Sequence, residues 1–151
     1  MPMIKIENHY DASPDFVQSW LLDYRPDDAK WFGGAETTTV KKDGNKVHLE
    51  KTDDMGTWFT TVNTGHKHTW NFDARCEKKG KVLLSVHGVE RLQQAGGGTD
   101  HFVALETKGG SLVMRLMLPM MKGKMGKEIK AGFDKMRPVI EEEHAASTKK
   151  T

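Results

Sequence analysis

His66 and His68 stand two residues apart in a segment that alternates like a β-strand. Both rings would then leave one face, the spacing with which two imidazoles share a metal. Nothing nearby supplies a defined third ligand, so the pair reads as structural or solvent-facing, and no metal is expected. His87, within Val86-His87-Gly88-Val89-Glu90-Arg91, is a proton carrier by type,. On a regular strand Glu90 faces the opposite side, and the residue sharing the face of His87 is Arg91 rather than a carboxylate. No convergent acid–base pair emerges, and no catalytic residue is assigned. Gly96-Gly97-Gly98 is followed by neither a helix nor a Lys-Ser/Thr pair, so it reads as a hairpin tip rather than a phosphate loop,. Gly-X-Ser-X-Gly, Cys-X-X-Cys and His-Glu-X-X-His are all absent,. Cys76, on an apolar strand face, has the setting of an inert thiol.

Side chains suited to binding are more prominent. Four tryptophans, Trp20, Trp31, Trp58 and Trp70, stand in a chain that is only 8% aromatic. Met114, Met117, Met120, Met121, Met125 and Met136 crowd one segment beside Pro119, Gly123 and Gly126. Methionine adapts its shape, and the glycines let its backbone move, so this segment reads as a deformable wall. For each ring or thioether alone, core packing is the simpler role. Taken together they place a ligand site at Trp31, Trp58, His68, Trp70, Phe72, Val86, Met117, Met121 and Met125, with its mouth near Trp31. Lys122, Lys124, Lys127 and Lys130 form a solvated face that would also suit an anionic headgroup or an acidic protein partner.

The elements that must position these groups follow from periodicity. Residues 3–10 alternate as a half-buried strand. Ser13-Pro14-Asp15 starts a helix, with a capping hydroxyl, a proline at the first helical position and an acid at the positive end. Phe16, Val17, Trp20, Leu21 and Tyr24 give it one apolar face, and a second short helix from Pro26 carries Trp31 and Phe32 to Gly33-Gly34. Strands are expected at residues 35–42, 46–52, 57–64, 66–77, 81–93 and 99–108. The first pair is joined by the hairpin signal Asp43-Gly44-Asn45, and the short connections suit an antiparallel meander. Met121, Met125, Ile129, Phe133, Met136 and Ile140 recur at helical spacing and predict one long helix over about 111–143. Pro119 and Pro138 should bend or break it, and its charges oppose the macrodipole, lysines early and Glu141, Glu142 and Glu143 late. Such a helix must be held by packing on the sheet. Residues 144–151 should fray.

The chain has 151 residues, read as one domain over 1–151, with 36% hydrophobic and 29% charged residues,. A net charge of +2 makes no case for nucleic acid,. The single cysteine allows no internal disulfide,. No apolar run reaches the roughly 18–20 residues of a membrane span, and the N-terminus lacks a signal peptide's apolar core, so the expectation is a cytoplasmic protein. Oligomeric state is not readable.

The order strand, two short helices, six strands and long helix resembles the α+β helix-grip fold of the START-like (SRPBCC) superfamily. That group includes polyketide cyclase-like proteins and the birch-pollen allergen. Locally the likeness sits in Ile4-Lys5-Ile6-Glu7 running into Ala12-Ser13-Pro14-Asp15-Phe16-Val17, and in the terminal helix from Lys127-Glu128-Ile129 through Phe133 to Ile140. The resemblance implies a curved antiparallel sheet of about seven strands around the terminal helix. It further implies binding of a lipid, sterol or other hydrophobic or amphipathic small molecule, with no cofactor. It leaves two alternatives open: a cyclase or dehydratase, which an internal void beside His87, Glu36 or Glu106 would favour, and a co-chaperone-like interaction module. Asp23-Tyr24-Arg25-Pro26 departs from the tighter Asp-Pro of many relatives.

Overall fold

The computed structural model describes residues 3–23 and 37–149. Seven strands, β1 (Met3–Tyr10), β2 (Thr37–Asp43), β3 (Lys46–Asp53), β4 (Gly56–Asn63), β5 (Thr69–Lys78), β6 (Lys81–Ala95) and β7 (Gly98–Gly109), accompany helices α1 (Pro14–Leu21) and α2 (Leu112–Lys149). The expected second short helix, with Trp31, and Glu36 lie outside the described residues.

All strand pairs are antiparallel, in the order β1-β7-β6-β5-β4-β3-β2. Consecutive strands from β2 to β7 pair as hairpins, and β1 closes against β7, with Asn8 opposite His101. The turns carry the residues that demand them: Gly44 (φ 58°) and Gly96 (φ 61°) adopt left-handed backbone, which a residue without a Cβ enters at little cost,.

Alternation places one apolar face under the helix. Ile4, Ile6 and Tyr10 of β1, Leu84, Val86 and Leu92 of β6, and Val103 and Leu105 of β7 are buried, with Leu118, Phe133, Met136 and Ile140 of α2 packed on them. Burying each such side chain contributes about 1.5–3 kcal/mol, which offsets the poor helix propensity of α2. A gap in this layer is filled by a neighbour. A Cβ on Gly88 would meet the Phe72 ring at 2.2 Å, so that ring lies over the glycine.

Two expectations are corrected. Strand β5 begins at Thr69, and His66 and His68 lie in the preceding turn, His68 at φ 61°. The turn is held from α1 instead: the Gln18 side chain donates to the His66 carbonyl (2.9 Å) and accepts from the His68 amide (2.9 Å). Helix α2 is continuous through Pro119 and Pro138, so neither proline ends it. It also continues to Lys149 rather than fraying after 143, because its end is tied to the start of the chain. Glu141 accepts from the Asp11 amide (2.7 Å), Glu143 accepts from the Trp20 indole, and the His144 ring meets Phe16 edge-on at 5.0 Å. The late acidic residues thus oppose the helix dipole but serve as acceptors for α1 and its lead-in. That lead-in is capped as the sequence predicts, with the Ser13 hydroxyl accepting from the Phe16 amide.

Candidate functional site

His101, on the inner face of β7, is fully buried and is the centre of a polar network beneath α2. Its Nδ1 lies 3.3 Å from the Asn8 amide nitrogen and 3.2 Å from the Tyr10 hydroxyl. The Asn8 amide oxygen is occupied by Lys130, whose Nζ donates to it at 2.6 Å and to the Glu7 carbonyl at 2.8 Å. The Asn8 nitrogen and the Tyr10 hydroxyl therefore act as donors to Nδ1, which fixes the proton on Nε2. Nε2 donates to Glu90 Oε1 (2.8 Å), and Glu90 Oε2 accepts from the Trp70 indole (2.7 Å). The Trp70 and His101 rings are stacked at 6.1 Å, and Phe133 of α2 stands edge-on to His101 at 5.0 Å.

Register explains why these groups meet. Asn8 is directly opposite His101, and Trp70 is directly opposite Glu90, so neighbouring strands bring the network together: Asn8 and Tyr10 from β1, His101 from β7, Glu90 from β6 and Trp70 from β5. Burial first, and then the charge of Glu90, pushes the Tyr10 phenol well above its ordinary value, so it stays a donor at any neutral pH,. A carboxylate, an imidazole and a phenol in sequence form a set able to hold and pass a proton. The network also satisfies polar groups that would each cost about 1–3 kcal/mol if buried alone.

Lys130 is accordingly a buried-network donor, and not the purely solvent-facing residue that helical spacing suggests; it also pairs with Asp134 at 3.3 Å.

The inner face continues from this network onto β5, β4 and β3. Trp58, Phe72, Ala74 and Leu49 lie there only partly buried, against the core. Met125 and Ile129 of α2 are likewise half-buried against the core, and Met121 is half-buried on the same helix. Of the residues expected at a ligand site, Trp58, Trp70, Phe72 and Val86 thus share the inner face, and Met121 and Met125 are on the helix. His68 is displaced to the α1 side, where its Nε2 hydrogen-bonds Asp15 (2.7 Å) and, with Lys67, holds that carboxyl below its usual value. Met117 is 45% exposed.

His87 faces outward, opposite to Glu90, and pairs with Asp73 across the β5–β6 ladder (2.7 Å). It lines an open outer-face cleft of about 390 Å³ with Glu106, and with Arg75, whose guanidinium lies 4.6 Å over the Phe59 ring. His87 and Glu106 are therefore not beside an internal void. Among the described residues no His, Cys, Asp and Glu group is arranged to hold a metal, and no helix is long and apolar enough to cross a membrane.

Sequence reading passed over His101, Glu90, Tyr10 and Asn8, although a signal existed. Each is a polar side chain in phase with buried apolar ones: Glu90 with Leu84, Val86 and Leu92, and His101 with Val103 and Leu105.

No protein-family model matches the chain, and no curated protein matches it in sequence. Solved structures do match in fold. A protein from Thermus thermophilus superposes with a TM-score of 0.74 at 14% identity, over 92% of this chain and 97% of that one. A START superfamily protein from Mycobacterium smegmatis gives 0.72 at 13% identity, over 91% and 98%. The di-domain ARO/CYC StfQ of the steffimycin biosynthetic pathway gives 0.72 at 8% identity, over 95% of this chain and 52% of that one. The chain has the START-like helix-grip fold, shared with a polyketide ARO/CYC.

Proposed function

We propose that the protein binds one hydrophobic or amphipathic small molecule between the inner sheet face and α2. The observation that carries this reading is the split character of that face. The side under α2 at β1 and β7 is sealed by Phe133, Met136 and Ile140, whereas Trp58, Phe72, Leu49 and Ala74 further along are only partly buried. Half-buried apolar side chains on the sheet, with Met121 and Met125 half-buried on α2, offer a surface whose removal from water yields about 25 cal/mol per Å²,. The buried Trp70–Glu90–His101 network borders it and holds that side of the face rigid. The START superfamily and ARO/CYC neighbours support the same reading. Trp31 belongs to the proposed mouth, with Val86 on the floor, while Met117 stands on the exposed side of α2.

An apolar fluorescent probe should bind the native protein, and Met121→Trp should block it while leaving the far-UV circular dichroism unchanged. No uptake, or uptake unchanged by Met121→Trp, would overturn the site.

One observation favours a second reading, an enzyme of the cyclase or dehydratase kind. His101 stands between a carboxylate and a phenol, as a general base would. Turnover of a linear poly-β-ketone thioester that His101→Gln abolishes, with probe binding intact, would establish it. Turnover unaffected by that change would exclude His101 as the base.

A further inference from the structure

The first half of α2 is apolar on two sides. Leu118 faces the core, yet Leu112, Val113, Leu116, Met117 and Met120 are 71%, 63%, 69%, 45% and 84% exposed. At about 100° per residue these five fall within roughly 140° of arc, on the side away from Leu118, Met125 and Met136. The stripe is ordered from its start, since the Ser111 hydroxyl accepts from the Met114 amide (3.2 Å). The surrounding charge is basic: Arg115, Lys122, Lys124 and Lys127 occur with no acidic residue between Leu112 and Lys127, Arg115 and Lys122 lying roughly 60–80° outside the arc. Lys124 and Lys127 extend the same face beyond Met120. The first acid, Glu128, reaches Lys124 only at 3.9 Å, between two exposed side chains.

We propose that this stripe docks the protein on an anionic lipid surface, α2 lying in the interface plane. Five exposed apolar side chains bordered by lysines are what an interfacial helix presents: the apolar groups enter the acyl boundary and the cations meet the headgroups. Charge complementarity selects this occupant. A second copy would gather the same basic side chains with no acid within the stripe to answer them. An acidic protein would satisfy the lysines without requiring Leu116 and Met120 to stand so far out. The proposal does not depend on a ligand inside the fold.

Flotation of the full chain with phosphatidylcholine vesicles, with and without phosphatidylserine, tests it. Binding is expected with phosphatidylserine, weak or absent without it, and diminished in about 0.5 M salt as the charges are screened. Leu116→Gln with Met120→Gln should abolish it, and Lys124→Gln and Lys127→Gln should each weaken it about fivefold. All variants should keep the native circular dichroism and melting temperature, the changed side chains being exposed. No flotation with phosphatidylserine vesicles, equal flotation of the Leu116/Met120 variant, or light scattering that shows a dimer dispersed by that variant would overturn the proposal. Failure of the apolar probe to bind would leave it standing.

Discussion

His101 has hydrogen-bond partners on both ring nitrogens, and its neighbours have few others, so the network stands or falls together. His101→Ala should cost about 3–5 kcal/mol, because a fully buried ring is removed and Glu90 is left against one donor,. Tyr10→Phe should cost only about 1 kcal/mol, since Asn8 still donates to Nδ1. His87→Ala, on the exposed face, should change stability by less than about 0.5 kcal/mol. Urea denaturation of the three variants checks the order, and equal losses would mean the buried network is energetically idle. Tyr10 also makes an alkaline prediction. Its folded value is raised, so its contribution is fully present below the unfolded value near 10 and is lost as pH climbs beyond it,. The unfolded chain releases that proton while the folded chain keeps it, which steepens the loss by up to about 1.4 kcal/mol per pH unit. Stability measured between about pH 9 and 11 should fall more steeply for the native chain than for Tyr10→Phe. These residues were missed because sequence phase shows that Glu90 and His101 point inward but not that register brings them together. Asn8, Glu90 and His101 come from three strands, and no spacing along the chain encodes their meeting.

Helix α2 was the most legible element and also the one whose details were least so. The stripe Met121, Met125, Ile129, Phe133, Met136, Ile140 marked its packed face from Met125 onward, Met121 being half-buried beyond the core, because a long helix laid on a sheet must keep its apolar phase. Its full length was not readable, since its last turns are held by partners distant in sequence. Asp11 and Trp20 bind its final acids, and Glu7 and Asn8 bind Lys130. Phe133→Ala should therefore cost about 3–5 kcal/mol. Lys130→Ala should cost about 1.5–3 kcal/mol as a charged donor to two acceptors, well above Lys122→Ala on the exposed side. Chemical denaturation of the set decides it: a Lys130 loss no larger than that of Lys122 would contradict the network geometry. The strand that began late is similarly instructive. Alternation runs through His66 and His68 ahead of the strand start at Thr69, but there Gln18 of α1 takes the His66 carbonyl and the His68 amide, and only the His68 carbonyl is bonded by β6, through the Leu92 amide.

At the scale of the molecule, the antiparallel meander was visible in evenly spaced turn residues, and the helix-grip arrangement in one long amphipathic segment following it. The division of labour over the sheet was not visible. The inner face is polar-networked and sealed beneath Phe133, then apolar and half-open towards β3–β5. The outer face carries Asp73–His87 and the Arg75–Phe59 stack. The central claim is that the half-open part of the inner face holds a hydrophobic or amphipathic molecule. Native mass spectrometry of protein purified from its own source tests this most directly. The account predicts a species carrying one small molecule per chain, released by organic solvent and excluded by Met121→Trp. A spectrum of the bare chain alone, unchanged after exposure to a panel of lipids, sterols and aromatic polyketides, would contradict it.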